Sequence, residues 1–216
     1  MPENAQKLIN DSYPKERRSK IRRLNISDKN LEGSLDLSDF VGLEKFNCSN
    51  NQLTNLILSN LTKLQEINCS NNKLTDLDLS SCSSLKELHC QNNKLVSVEF
   101  FDKLPNPEKL VYLNISDNNF SAQGLHFFSK FINLEKLFVG NNEFCGSLKF
   151  LGEMNNLEEL DISDTNVDSG LEYLPKKNLK EINCEINKRP EARCRTIKES
   201  LRNYYNQSKK VYNYKE

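Results

Sequence analysis

The chain has 216 residues with 30 basic and 30 acidic side chains, so no net charge draws it toward nucleic acid or membrane. No stretch approaches the ~18 consecutive apolar residues of a membrane-spanning helix, and the polar N-terminus lacks the apolar core of a secretion signal. The seven cysteines form no CxxC pair, which argues against a zinc site or a fully paired disulfide framework. Composition therefore predicts a soluble cytoplasmic protein without metal or other cofactor.

Charge is segregated along the chain. Residues 1–23 carry seven basic and three acidic groups, and residues 188–216 carry nine and three. These ends have net charges of +4 and +6, so the segment between them must be −10. Two basic ends around an acidic middle indicate caps on a different central structure.

The first predicted element is an N-terminal helical cap over residues 1–20. Within residues 3–13, helical spacing places Ala5, Leu8 and Ile9 on one face. A polar helix with one apolar face suits the end of a repeat array, where the terminal coil would otherwise leave its core open to water.

A repeat fills residues 21–187. Apolar residues recur at fixed spacing in eight in-frame copies whose starts lie 21–25 residues apart, and the last copy is truncated. The position between the last two apolar residues is usually Asn, but it is Lys29 in the first copy and Thr165 in the seventh. The alternating apolar positions predict a short strand in each copy, and stacked copies place these strands in one parallel sheet. A buried amide at the turn can satisfy backbone groups that no strand pairs. The predicted structural asparagine ladder consists of Asn51, Asn72, Asn93, Asn118, Asn142 and Asn187.

Other residues recur at fixed places in the repeat. The inward strand position holds Cys48, Cys69, Cys90 and Cys184, which we interpret as small buried apolar residues in a reducing compartment. Eight Asn-X-Ser/Thr sequons occur, and the following four fall on the outward mid-strand position: Asn25, Asn47, Asn68 and Asn114. Glycans there would cover the surface expected to bind, which again favours an intracellular protein. In the longer fifth copy, GLHFFSKF predicts a short helical turn opposite the sheet.

The last predicted element is a C-terminal helical cap with a basic tail, over residues 188–216. Pro190 is suited to the first turn of a helix. After it, an apolar stripe recurs at helical spacing: Cys194, Ile197, Leu201 and Tyr204. The basic end with Tyr204, Tyr205, Tyr212 and Tyr214 could stack on RNA or touch anionic lipid, but its first tyrosines are predicted to pack the cap and the rest to form a loose tail.

These repeats resemble the leucine-rich repeat family over residues 21–187. Segments such as LQEINCSNNKLTDLDLSSCSSLKELHC are similar to cysteine-ladder repeats of internalin-type bacterial adhesins and to intracellular repeat proteins of mycorrhizal fungi, some of which carry kinase-like domains. The start, NAQKLINDSYPKERRSKIRRLNISDKNLEGSLDLS, resembles the fungal group more closely. The resemblance implies an α/β repeat fold, a leucine-rich repeat solenoid (horseshoe or arc). It implies a parallel concave β-sheet, an irregular, 3-10 or short-helix convex side, and helical caps.

Catalysis finds little support in the sequence. The two histidines, His89 and His126, fall on opposite sides of the predicted coil, no nucleophile motif has a base beside it, and no Gly-rich phosphate loop occurs. We therefore expect a non-catalytic, monomeric scaffold that binds a protein on the concave face, with neither a small-molecule substrate nor, given the acidic array, nucleic acid.

The predicted partner-binding positions lie where copies four to six interrupt an otherwise polar outward surface, with Lys136 and Asp161 at the rim. Exposed aromatic side chains at the middle of a sheet are typical of binding hot spots, whereas scattered exposed apolar residues are also normal, and both interpretations remain open. The predicted site consists of His89, Val111, Tyr112, Asn114, Lys136, Phe138 and Asp161. A secondary acidic strip, Glu158, Glu159, Asp161 and Asp164, could select a basic partner or could be an ordinary solvated face.

Two other functions remain open at this point. One is a cell-surface adhesin of cysteine-ladder type, which would require an export signal. The other is a regulatory module associated with a kinase-like protein.

Overall fold

The computed structural model describes residues 1–207, with side chains through Leu201. It divides into two compact units, unit 1 (Met1–Leu110) and unit 2 (Val111–Glu216). Each unit is a stack of repeated coils in which successive repeats contribute strands to a parallel sheet, as predicted. Within the described part of the chain, no helix is both long enough and apolar enough to span a bilayer.

Unit 1 begins with two helices and contains two parallel sheets. The helices are α1 (Ala5–Ser12) and α2 (Lys15–Arg18). One sheet pairs β2 (Arg23–Asn25), β4 (Lys45–Asn47), β6 (Glu66–Asn68) and β7 (Glu87–His89), one strand per repeat. The other sheet pairs β1 (Glu3–Asn4), β3 (Leu31–Asp36) and β5 (Gln52–Ile57). Short 3-10 helices follow at Glu99–Phe101 and Pro107–Lys109.

Unit 2 repeats this plan and ends in a helix. Its main sheet pairs β8 (Tyr112–Asn114), β9 (Lys136–Phe138), β11 (Glu159–Asp161) and β13 (Glu181–Asn183), and β10 (Cys145–Ser147) pairs with β12 (Asn166–Ser169). The sides of the repeats opposite the main sheet carry 3-10 helices at His126–Lys130, Leu148–Leu151 and Leu171–Tyr173. The helix α3 spans Arg195–Gln207.

The helical turn predicted from GLHFFSKF is confirmed by the 3-10 helix at His126–Lys130. The sheet formed by β1, β3 and β5 was not predicted. Opposite the main strands, the first two repeats run in an extended conformation, so these neighbouring segments pair as a second parallel sheet. Gly33 adopts a left-handed φ of +87° where this sheet shifts register, and a Cβ there would meet the Asn4 side chain at 3.5 Å.

The N-terminal helix closes the first repeat. Asn4 accepts the backbone N–H of Lys7 at the helix N-terminus, and Ala5 and Ile9 are fully buried, whereas Leu8 is half-buried. Arg18 is buried as well: its Nη1 atom lies 3.1 Å from Asp39 Oδ2, and its guanidinium lies over the Phe40 ring.

The C-terminal helix differs from its prediction. Pro190 lies in a turn five residues before α3 and not in its first turn. Cys194, Ile197 and Leu201 are buried in the predicted order. The predictions for Tyr204, whose side chain is not described, and for Tyr205, Tyr212, Tyr214 and the tail fall beyond the described side chains or residues.

Candidate functional site

The asparagine ladder holds neighbouring repeats together. Asn72 donates its amide to the carbonyls of Cys69 and Ser70 in its own repeat and of Cys48 in the preceding one, at 3.0–3.1 Å. Its Oδ1 atom accepts the backbone N–H of Leu53 at 2.9 Å. Four further predicted members are buried and donate to backbone carbonyls: Asn51, Asn93, Asn118 and Asn142.

The sixth predicted ladder member does not fit. Asn187 is exposed, because the repeat ends there and the chain turns toward α3. Here Asp164, which is 3% exposed, provides the hydrogen bonds to the backbone instead. Its Oδ1 atom accepts the N–H groups of Asn187, Lys188 and Arg189 at 2.9–3.0 Å. Asp164 therefore belongs to the end of the array and not to the acidic strip assigned to it from the sequence.

A left-handed residue precedes each ladder position. Asn50, Asn71 and Asn92 have φ values of 54–57°, and Asp117, Asn141 and Asp164 adopt the same conformation. Asn and Asp tolerate this region better than other side chains with a Cβ. The recurrent Asn-Asn pairs in the sequence thus combine a turn residue with a ladder residue.

The predicted buried cysteines are confirmed. Cys48, Cys69, Cys90 and Cys184 are buried, and all seven cysteines are free thiols. Burial raises the pKa of Cys69 to about 12 and holds those of Cys48 and Cys90 well above their ordinary value.

The sequons on the sheet have a structural explanation. On the outward mid-strand position, the asparagine Oδ1 accepts the backbone N–H of the residue two positions later, at 2.9–3.1 Å. This bond, which turns the chain as the strand ends, is made by Asn25 to Ser27, Asn47 to Ser49, Asn68 to Ser70 and Asn114 to Ser116. The repeat itself therefore accounts for the asparagine at this position, and Asn114, assigned to the binding site from the sequence, is committed to this bond.

Two residues at the outward mid-strand position are neither Asn nor Asp. His89 in unit 1 and Phe138 in unit 2 occupy the position at which the other repeats place Asn or Asp. A phenyl ring cannot accept the N–H of Gly140, so Phe138 gives up a backbone hydrogen bond that Asp161 and Asn183 make, at 2.8 and 3.1 Å. Phe138 is therefore a half-buried aromatic side chain at a position where the neighbouring repeats place a structural acceptor.

We define the strand face of unit 2 by the outward side chains of its main sheet, which are half-buried and listed in strand order as Tyr112, Asn114, Lys136, Phe138, Glu159, Asp161, Glu181 and Asn183. The Tyr112 and Phe138 rings lie 5.5 Å apart with a 40° interplanar angle. Lys136 Nζ lies 2.5 Å from Glu159 Oε1, and this bond raises the pKa of Lys136. Val111 lies just before β8, half-buried, and its carbonyl accepts the Glu135 and Lys136 N–H groups.

The remaining predicted residues divide among several environments. Glu158 pairs with Lys180 at 2.7 Å and Glu159 with Lys136, so the acidic strip is interrupted by lysines. Asp161 remains on the face, and burial raises its pKa although the Ser163 and Asn183 hydrogen bonds oppose this shift. His89 lies 3.6 Å from Glu87, and burial lowers its pKa. Among the described residues, no group of three or more His, Cys, Asp or Glu side chains is arranged to hold a metal ion.

Known proteins support the repeat assignment. Residues 41–81 match the family described as Leucine Rich repeats (2 copies), and residues 109–131 match Leucine Rich Repeat. No curated protein matches the whole sequence significantly.

Several solved structures share the fold. The functional domain of InlJ from Listeria monocytogenes, which includes a cysteine ladder, is 26% identical with a TM-score of 0.67, over 81% of this chain and 37% of that one. InlF, an internalin from the same organism, is 20% identical with a TM-score of 0.63, over 86% of this chain and 62% of that one. This chain thus spans less than two thirds of either.

The ectodomain of a plant membrane receptor kinase, GASSHO1/SCHENGEN3 from Arabidopsis thaliana, was solved in complex with CASPARIAN STRIP INTEGRITY FACTOR 2. It is 22% identical with a TM-score of 0.64, over 81% of this chain and 25% of that one. At this level of identity, the similarity concerns the fold alone.

Proposed function

Because this chain is a leucine-rich repeat protein, we propose that it is a non-catalytic interaction module that binds a protein partner on the strand face of unit 2. The observation that carries the proposal is Phe138, which replaces a structural hydrogen-bond acceptor and lies 5.5 Å from the Tyr112 ring. Neighbouring aromatic side chains on a rigid sheet are typical of interaction hot spots. The receptor ectodomain of the same fold, bound to its factor, provides a precedent for recognition by such repeats.

We propose that the protein acts in a reducing, cytoplasmic compartment. The seven free thiols, six of them buried, support this assignment because such thiols persist where glutathione keeps them reduced. Cell fractionation with an antibody against the native protein tests it, and recovery in a membrane or extracellular fraction would contradict it.

The experiment for the interaction compares three purified proteins as baits in lysate of the native organism. They are the wild type, Tyr112→Ser/Phe138→Ser, and a control, Asn155→Ser/Asn156→Ser, whose exposed side chains lie outside the strand face. We expect a protein that the wild type and control capture and the double variant loses, and that binds the purified wild type in isothermal titration calorimetry. Circular dichroism verifies that all three are folded. A partner that binds all three equally would exclude the strand face of unit 2 as the binding site.

His89 requires its own variant because it belongs to unit 1. It replaces the same acceptor as Phe138, and we propose that it also contributes to recognition. His89→Asn places here the side chain found in the preceding repeats, whose Oδ1 atom accepts the N–H two positions later, so it tests binding with the turn supported. Reduced affinity for the captured partner would support a role for His89, and unchanged affinity would exclude it.

A cell-surface adhesin is the second candidate. The observation that favours it is the column of buried cysteines, Cys48, Cys69 and Cys90, because the similar InlJ domain also includes a cysteine ladder. Labelling intact cells with an impermeant biotin reagent separates the two candidates, since only a surface protein would be labelled.

A further inference from the structure

The strand face of unit 2 combines two aromatic rings with an excess of negative charge. Its carboxylates and those beside it are Asp117, Glu158, Glu159, Asp161 and Glu181. Three lysines neutralise three of these groups: Lys188 pairs with Asp117, Lys180 with Glu158 and Lys136 with Glu159. Within the described side chains, no cation lies within salt-bridge distance of the other two, Asp161 and Glu181. Five carboxylates and three lysines leave two negative charges.

Asp161 is the more enclosed of these two groups. Its Oδ1 atom accepts the backbone N–H of Ser163 at 2.8 Å, and the Ser163 hydroxyl and the Asn183 side chain provide two further hydrogen bonds. An ionised carboxylate has about four acceptor positions, so capacity remains for a donor from outside. Burial raises its pKa most, the nearby Asp117 adds to this shift, and the hydrogen bonds from Ser163 and Asn183 oppose it.

The geometry connects this carboxylate to the aromatic pair. Phe138 and Asp161 are register partners on the adjacent parallel strands β9 and β11. Tyr112, on β8, is the register partner of Lys136 and lies diagonally from Phe138. Adjacent strands lie about 4.8 Å apart, so one planar cation can touch the phenyl ring and reach the carboxylate together.

We propose that the strand face of unit 2 binds an arginine-bearing segment of its protein partner, with the guanidinium against Phe138 and paired with Asp161. This inference rests on the interaction function proposed above. It commits to a basic partner because the face has two unpaired carboxylates, and to arginine because a flat guanidinium stacks on a ring while its N–H groups point at a carboxylate.

Unit 1 contains the same combination internally. The Arg18 guanidinium lies over the Phe40 ring, 5.6 Å from its centroid, and its Nη1 atom lies 3.1 Å from Asp39 Oδ2. An aromatic ring and an aspartate thus hold an arginine within this fold, and the strand face of unit 2 offers the same two groups to a partner.

The test titrates three glycine–serine peptides of equal length into the ¹⁵N-labelled full chain, monitored by NMR. The peptides carry one arginine, one lysine or one citrulline, which keeps the shape of arginine without its charge. We expect the arginine peptide to bind about tenfold more tightly than the citrulline peptide, with the largest shifts at residues of β9 and β11, and more tightly than the lysine peptide. Equal binding of arginine and citrulline, or of arginine and lysine, would overturn the inference.

Two variants locate the site. Asp161→Asn keeps an oxygen for the Ser163 N–H, as Asn47 does for Ser49 at 2.9 Å, and removes only the charge. We expect it to weaken arginine binding about tenfold. The matched control is Glu172→Gln, which removes one charge from an exposed 3-10 residue of unit 2 and should leave binding unchanged. Equal effects of the two variants would reduce the interaction to general electrostatics and contradict the proposal.

The peptide titration and the capture experiment can give opposite results, so they test the arginine assignment and the interaction function independently. If a captured partner depends on Tyr112 and Phe138 but binds Asp161→Asn normally, the result would support the interaction function and contradict the arginine assignment. Arginine-specific peptide binding without any such partner would support the chemistry of the site and reject the proposed interaction function.

Discussion

Asn72 donates its amide to the carbonyl of Cys48, one repeat earlier, at 3.0 Å, while its Oδ1 atom accepts the N–H of Leu53 from that same repeat. One buried side chain therefore satisfies backbone groups of two repeats at the point where the strands end. Since polar groups in the interior cost free energy when unpaired, the bond couples the stability of each repeat to its neighbour.

Replacing this side chain should destabilise unit 1. Asn72→Ala leaves the buried Leu53 N–H and three carbonyls without the amide, and we expect the free energy of unfolding to fall by about 2–4 kcal/mol. Urea denaturation followed by circular dichroism measures the change. Asn55→Ala, which removes an exposed contact with Ser34, is the control and should change stability by less than about 0.5 kcal/mol. Similar losses in both variants would contradict a special role for the ladder.

Asp164 should be equally important at the end of the array. Its carboxylate accepts three consecutive backbone N–H groups from residues 187–189, which position the turn into α3. We expect Asp164→Ala to cost about 2–4 kcal/mol, and Asp164→Asn to cost less because it keeps one acceptor oxygen. Hydrogen exchange of the Lys188 and Arg189 amides provides the local measurement. Asp168→Ala serves as control, because it loses only a 3.8 Å contact with Arg193 and an exposed hydrogen bond from the Ser169 hydroxyl.

Much of the repeat could be predicted from its periodicity, because the spacing of buried residues is a local property of each coil. Phe46, Ile67 and Leu88 are register partners on consecutive strands as the in-frame copies require, and each is buried. The buried ladder asparagines could be predicted for the same reason.

The structure differs from the sequence predictions where the burial of a residue depends on the segment that packs next to it. Asn187 has the sequence of a ladder residue, but the next repeat that would bury it is missing, and Asp164 is buried only because the chain folds back over it. The role of the outward asparagines could have been found from the recurrent Asn-X-Ser pattern, which is also a turn signal. That pattern would also have marked Phe138 as an exception.

The thiols should differ sharply in reactivity. Six are buried, and burial raises the pKa of Cys69, Cys82 and Cys184 to about 12, whereas Cys145 on β10 is half-exposed. Since the thiolate is the reactive form, we expect a chromogenic disulfide reagent at pH 8 to modify one thiol rapidly and the other six only after unfolding in urea. Cys145→Ser should abolish the rapid phase. Rapid modification of more than one thiol in the folded protein would contradict the burial of the ladder.

Gly140 should be needed for the geometry of Asp161. A Cβ at this position would lie 2.7 Å from Ser163 Oγ and 3.1 Å from Asp161 Oδ1, so Gly140→Ala must displace one or both side chains. We expect the arginine peptide to bind about threefold to tenfold more weakly to this variant, with little change in overall stability. Ala substitution at Gly124, where the nearest atom to a Cβ is His126 Nδ1 at 3.8 Å, is the matched control. Unchanged peptide affinity in Gly140→Ala would exclude Asp161 from the contact.

His89 should make the stability of unit 1 sensitive to mild acid. Burial lowers its pKa, and Glu87, 3.6 Å away, offsets this shift only in part, so the imidazole is neutral in the folded protein at pH 7. In the unfolded chain the histidine pKa is about 6.5, so the unfolded chain binds the proton more readily than the folded chain. The contribution of the neutral imidazole to stability is therefore complete above about pH 6.5 and is lost as the pH falls toward the folded pKa.

The measurement is the melting temperature of wild type and His89→Gln between pH 7.5 and 5, since the variant cannot take up this proton. We expect the wild type to lose more stability than the variant across this interval. Titration of the His89 Cε1 proton by NMR, in a His126→Gln background that leaves a single imidazole, gives the folded pKa directly, and the same chain in urea gives the reference. A folded pKa equal to or above the urea value would reverse the sign of the effect and refute the assignment of His89 to a desolvated position.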